Sequence, residues 1–188
     1  MGTEIVVVSG LPRSGTSLMM QMLAAGGVEV VTDGQRIADD DNPAGYYEYE
    51  PVKMLQRDAS WLATVCGKTV KIISQLLFEL PTTEHYAVIL MERDLGEVLA
   101  SQDKMLTRQG RQGAPHATMR SAFEKHLARL ASWLPEQAHM RVLRVDYADL
   151  VADPLTHAER IKEFLGSDLN VAATAAAVDP KLYRNRKG

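Results

Sequence analysis

A single cysteine, Cys66, stands in this chain of 188 residues, which excludes an internal disulfide and a cysteine-built metal cluster. The five histidines give no metal set either: His85, His116, His126, His139 and His157 are scattered without ligand spacing, and no metal is expected. There is no excess of basic charge. Twenty-one Lys and Arg against 24 Asp and Glu leave a formal −3, which gives no reason to expect a nucleic-acid partner. Long apolar runs are missing too. The longest, such as Ala87 to Met91, are far too short to span a bilayer, so no membrane partner is expected. The chain enters a strand at Ile5 without a basic segment, a long apolar core or a cleavage site, and no export signal is expected. Internal repeats and low-complexity tracts are also absent. What remains is the expectation of one cytoplasmic domain, residues 1–188, with an ordinary 46% hydrophobic and 24% charged content.

Apolar β-rich runs recur at Ile5–Val8, Thr69–Ile73, Tyr86–Met91 and Val142–Val145, with a weaker one at Val28–Val31. Helical patterns lie between them at Thr16–Ala25, Pro51–Val65, Leu95–Thr107, Ala117–Trp133 and Pro154–Leu165. Short continuous apolar strands alternating with helices predict a three-layer α/β/α sandwich around a central parallel sheet. Pro51 and Pro154 suit first-turn helix positions, Gly166 suits a stop, and Ser167 is positioned to cap a last helix through Ala177. Two segments resist this packing: the polar, acidic Thr32–Tyr47 and the basic Thr107–Arg120, with Arg108, Arg111 and Arg120. The second reads as a solvated connector or as a cationic lid over an anionic ligand.

The densest signal is Val6-Val7-Val8-Ser9-Gly10-Leu11-Pro12-Arg13-Ser14-Gly15-Thr16-Ser17-Leu18. A β-run, a glycine-bounded turn and a helix start make the layout of a phosphate-binding loop, in the frame G-x-x-x-x-G-K-[ST]. Thr16 stands where the lysine should be, and Arg13 supplies a cation inside the loop instead. Backbone N–H groups can still hold a phosphate, but the group that would reach a γ-phosphate is missing. Ordinary ATP or GTP chemistry is therefore disfavoured. A second anchor is offered by Arg93, at the carboxyl end of a strand, with Ser101 eight residues on in the next helix. A guanidinium fork and a hydroxyl can together hold a phosphate. The plainer alternative pairs Arg93 with Asp94 or Glu97 at the helix start.

Taken together, these residues resemble a family. Pro12-Arg13-Ser14-Gly15-Thr16-Ser17 is similar to the 5′-phosphosulfate loop of sulfotransferases that use 3′-phosphoadenosine 5′-phosphosulfate (PAPS). Arg93-Asp94 followed by Ser101 resembles their 3′-phosphate motif. Asn42-Pro43-Ala44-Gly45-Tyr46-Tyr47-Glu48 is similar to the acceptor-side segment of bacterial members. Val142 to Leu150, then Asp153-Pro154 and Phe164-Leu165-Gly166, resembles their Y-x-D-L-x-x-D-P … F-L-G stretch. The likeness runs in order from about Ile5 to Gly166.

The resemblance implies a P-loop-type fold and transfer of a sulfonate from PAPS to a hydroxyl or amine of a small-molecule acceptor. The product would be 3′-phosphoadenosine 5′-phosphate (PAP). It assigns the loop amides from Ser14 through Gly15 and Thr16 to Ser17 to the 5′-phosphate, and Arg93 with Ser101 to the 3′-phosphate. Arg13 takes the place of a lysine beside the leaving phosphate and, holding its proton firmly, acts by charge and hydrogen bonds. Lys71, on the Thr69–Ile73 strand, is the other cation expected at the sulfonate, unless it is a solvent-facing lysine on a strand edge. The cytosolic branch places a histidine two residues after that lysine, but here Ile73 stands there, so the base must come from elsewhere. Glu48 is the choice, with Glu50 and His116 behind it; a helix-start acid before Pro51 is the plainer account of Glu48. The chain is short for this family, which implies a reduced acceptor pocket or one completed by another subunit in a homodimer. Tyr46, Tyr47 and Tyr49 are placed to line a pocket near the base.

Other prominent residues read as structural. Met19, Met20, Met22 and Leu23 form the inner face of the first helix, and Trp61 and Trp133 read as core. Asp146 and Asp149 support a turn and the following helix. The closing Arg186-Lys187-Gly188 matches a 3′-phosphate-binding triplet of the cytosolic branch, or is a basic frayed terminus. A P-loop nucleotide or small-molecule kinase and a catalytically silent nucleotide-binding protein stand as rival functions.

Overall fold

Side-chain alternation along the strands builds two separate cores, and these define the layers. The computed structural model describes residues 4–35 and 45–179. The strands are β1 (Ile5–Gly10), β2 (Thr69–Lys71), β3 (Tyr86–Glu92) and β4 (Met140–Asp146). They form one fully parallel sheet in the order β2-β1-β3-β4. From one face Val7, Val70, Val88 and Leu90 meet Trp61, Leu62, Leu77, Leu130 and Leu134. From the other, Val8, Ile89, Met91 and Val145 meet Met19, Met20, Leu23, Leu150 and Ile161. A period of two with both faces buried is what a sheet sandwiched between helical layers requires.

The helices are α1 (Thr16–Ala25), α2 (Leu95–Arg108), α3 (His116–Trp133), α4 (Tyr147–Ala152), α5 (Pro154–Leu165) and α6 (Val171–Ala176). Local chemistry sets their ends. Asp94, Asp146 and Asp153 each accept bonds from first-turn amides of the helix they precede. Gly166 closes α5 in the left-handed conformation. The α1 methionines and Leu23 are fully buried, as the sequence pattern predicts, and Trp61 is 8% exposed.

Four expectations are corrected. The helix expected over Pro51–Val65 is two 3-10 turns, Glu50–Met54 and Ser60–Val65, because Asp58 Oδ1 captures the Ser60 amide at 2.9 Å and breaks the run. The weak strand at Val28–Val31 contributes one bridge, Val30 to Thr69, and β2 stops at Lys71. The last helix is capped by Asn170, whose side chain accepts from the Ala173 amide at 3.0 Å, while the Ser167 hydroxyl is buried without a partner among the described residues. Finally, the irregular segment expected over Thr107–Arg120 narrows to residues 109–115, since Arg108 still belongs to α2, and α3 opens at His116. Asn42 to Ala44 and the basic tail from Pro180 lie outside the described residues.

Candidate active site

The sheet places its chemistry at one edge. β1 pairs with β2 on one side and β3 on the other, so the chain leaves β1 at the switch point of the sheet, where ligands gather in open α/β folds. Lys71 ends β2, Gly10 ends β1, Arg93 directly follows β3 and Tyr147 directly follows β4.

The loop from Gly10 to Gly15 is tightly fitted. Gly10 and Gly15 have φ of 152° and 103°, and Arg13 takes the left-handed value of 72° that side chains other than glycine rarely adopt. A Cβ on Gly15 would lie 2.4 Å from the Tyr147 ring, so the loop rests directly on that ring. The Ser14 amide donates to the Leu11 carbonyl at 3.1 Å, and the Ser14 hydroxyl is buried without a partner among the described residues. Among the described residues no side chain caps α1 at Thr16, and Gly15, Thr16 and Ser17 at its positive end line the cleft.

The second half of the site is built from β3 and α2. Arg93, with a side chain 8% exposed, pairs through Nε with the equally buried Glu97 at 2.9 Å. It also donates through an Nη to the Arg13 carbonyl at 3.2 Å and stacks over the Tyr147 ring at 4.3 Å. Arg13 Nε in turn donates to Ser101 Oγ at 3.0 Å, joining positions 88 residues apart. The two motifs are thus one bonded unit. The pairing of Arg93 with Glu97 coexists with its placement on the cleft wall.

Lys71 Nζ donates to the Tyr46 carbonyl and lies 3.5 Å from Ser17 Oγ, which itself donates to that carbonyl at 3.3 Å. Lys71 therefore points toward the start of α1. These groups line a cleft of about 730 Å³, together with Glu48, Tyr49, Lys53, Ile73, Lys104, Met105, Arg108, Arg111 and Asp179. Glu48 is half-buried on this wall. The other two acid–base candidates are elsewhere: Glu50 pairs with Lys53 at 2.7 Å, His116 pairs with Asp103, and neither lines the cleft. Tyr46 and Tyr49 line it, while Tyr47 packs with the α1-side core. Sequence reasoning missed Tyr147 as a support for both halves. Its signal was position, at the carboxyl end of a strand directly after a capping aspartate. Among the described residues no group of His, Cys, Asp and Glu is arranged to hold a metal, and no helix is long and apolar enough to cross a membrane.

Residues 35–170, well over half of the 188, match the model of the sulfotransferase family, and the chain belongs to that family. In fold it is similar to the mouse sulfotransferase SULT7A1 complexed with PAP (14% identity, TM-score 0.52), covering 95% of this chain and 63% of that one. The chain therefore spans under two thirds of the mouse enzyme's length. A sulfotransferase from Alicyclobacillus acidocaldarius (12% identity, TM-score 0.53) covers 99% of this chain and 98% of its own. The sulfotransferase domain from the curacin biosynthetic pathway (13% identity, TM-score 0.50) covers 97% and 89%. At these identities the likeness concerns the fold alone. No curated protein sequence matches the chain.

Proposed function

We propose that this chain transfers the sulfonate of PAPS to a hydroxyl or amine of a small acceptor. The observation that carries the proposal is the direct tie between the phosphate loop and the Arg93–Ser101 pair, made by Arg13 through its side chain and its carbonyl. Two anion cradles that share one bonded unit suit a nucleotide phosphorylated at both ends of its ribose, which ATP is not. The start of α1, which no side chain caps among the described residues, fits a group that brings acceptor oxygens to the loop.

In this proposal the Gly15, Thr16 and Ser17 amides hold the 5′-phosphate, and Arg93 and Ser101 hold the 3′-phosphate; Ser14 leaves the expected set, because its amide is bonded to the Leu11 carbonyl and it does not line the cleft. The bound donor supplies an electrophilic sulfur, whose bond to the phosphate oxygen breaks as the acceptor oxygen or nitrogen bonds to it in line. Arg13 and Lys71 offset the negative charge that builds on the departing phosphate, a stabilisation aimed at the transition state. Arg13 keeps its proton throughout and acts as a fixed charge. Glu48, on the same wall, takes the proton released by the acceptor.

Incubation with [35S]PAPS and a panel of phenols, alcohols and amines tests the proposal. The expected result is acceptor-dependent transfer of label with release of PAP. Label transfer from [γ-32P]ATP instead would make the protein a kinase, and neither transfer with intact PAP binding would make it a silent nucleotide binder.

A further inference from the structure

Arg13 and Tyr47 are the non-glycine residues with a left-handed backbone among those described, and Tyr47 stands at φ 52°. Such a conformation persists where its surroundings over-determine it. Here they do so through the two carbonyls that flank Tyr47. The Tyr46 carbonyl accepts from the Ser17 hydroxyl at 3.3 Å and from the Lys71 ammonium. The Glu48 carbonyl accepts from the Thr32 hydroxyl and from the Asp33 amide, each at 3.1 Å. Just beyond, the 3-10 turn Glu50–Met54 has no side-chain cap from Tyr49. Asp33, 17 residues before Glu50, supplies one, its Oδ2 accepting from the Glu50 amide at 2.6 Å. Asp33 Oδ1 accepts from the Gln35 amide at 2.9 Å, and the Thr32 hydroxyl accepts from the Gly34 amide at 3.3 Å. Thr32–Gln35 is thus a braced turn, able to hold the segment laid against it.

The kink at Tyr47 sets which side chains meet the cleft. Tyr46, Glu48 and Tyr49 line it, while Tyr47 packs with the α1-side core. Strict alternation along an extended chain would put Tyr47 and Tyr49 on one side, and here they part. We infer that Thr32 and Asp33 are positioning residues, which fix the Glu48 carboxylate on the cleft wall by holding its backbone. This rests on the reading of Glu48 as the base for the acceptor. Neither Thr32 nor Asp33 lines the cleft, so each acts on the reaction through Glu48. A base must lie within hydrogen-bond reach of the proton it takes, and its placement counts as much as its basicity.

Single-turnover transfer from [35S]PAPS to two acceptors of different acidity tests this inference on the full chain. At about pH 8.5, 4-nitrophenol is already ionised and needs no base, whereas phenol keeps its proton as tyrosine does. Thr32→Val and Asp33→Ala should each slow transfer to phenol about ten- to a hundredfold. Transfer to 4-nitrophenol and PAP affinity should stay within about twofold of the unaltered chain. Thr32→Ser keeps the hydroxyl and should restore the rate on phenol. Added to Glu48→Gln, Thr32→Val should cost nothing further. An equal loss on both phenols would make the two residues merely structural and overturn the inference. So would an unchanged rate on phenol in Thr32→Val and Asp33→Ala where Glu48→Gln abolishes transfer. Phenol turnover that survives Glu48→Gln would remove the base, and the inference with it. Should the unaltered chain use neither phenol, crystal structures of it and of Thr32→Val decide. A Glu48 carboxylate displaced from the cleft wall in the variant upholds the positioning, and an unmoved one overturns it. Failure of PAP to bind would separately count against sulfonate transfer.

Discussion

Arg93 meets a structural demand, and the proposed function would place a second demand on it. Its guanidinium and the Glu97 carboxylate are both nearly inaccessible, at 8% and 7% exposed, so each compensates the other's burial. Arg93→Ala should therefore weaken PAP binding by about ten- to a hundredfold and also lower stability, because Glu97 loses its guanidinium partner. The double variant Arg93→Ala/Glu97→Ala should regain stability without regaining affinity, and paired calorimetric and thermal-melt measurements separate the two effects. For Glu48 the expectation is different. Glu48→Gln should cut turnover by about 10²- to 10⁴-fold with PAP affinity intact, and near-normal turnover would remove Glu48 from the mechanism. Much of the candidate site was legible at this scale, since glycine, serine and arginine at fixed offsets carry their chemistry in the sequence. The Tyr147 ring was not, because its role arises from a tertiary approach to Gly15 and Arg93 that no local spacing encodes.

Among the elements, the strands were legible because burial on both faces demands uninterrupted apolar residues, as Tyr86 to Met91 show. The failures were at segments where side chains compete with backbone bonds. Asp58 capturing the Ser60 amide split an expected helix into two 3-10 turns, and Asn170 rather than Ser167 won the cap of α6. The basic stretch after Thr107 misled in the opposite direction. The helices expected on either side, Leu95–Thr107 and Ala117–Trp133, each extend by one residue into it, so its irregular part is only residues 109–115. The loop from Gly10 to Gly15 supports a sharper prediction. Gly15→Ala would force a Cβ to within 2.4 Å of the Tyr147 ring at a φ of 103°, so the loop must move. A loss of about 1–3 kcal/mol in stability and a clear drop in PAP affinity are expected, read by denaturant titration and calorimetry.

Across the whole molecule, two histidines couple stability to pH. Burial pushes the His126 ring below its ordinary value of 6.5, helped by the nearby Arg129 charge. Burial does the same for His139, helped by His85. Each binds a proton more weakly folded than unfolded, so the unfolded chain takes up more protons as acidity rises. Their contribution is fully present above about pH 6.5 and is lost as the pH falls from there through the folded values. Thermal midpoints should decline over that window, and His126→Gln/His139→Gln should flatten the decline. At the same scale the sheet order brings the ends of all four strands to one edge, which is how motifs dispersed from Gly10 to Tyr147 come to share a cleft. The central claim is that this cleft grips a ribonucleotide at both its 5′ and 3′ phosphates. Titration calorimetry of the unaltered chain with PAP and with adenosine 5′-monophosphate tests it most directly. PAP should bind at least about tenfold more tightly, the worth of one charge-assisted anchor; equal affinities would contradict the claim.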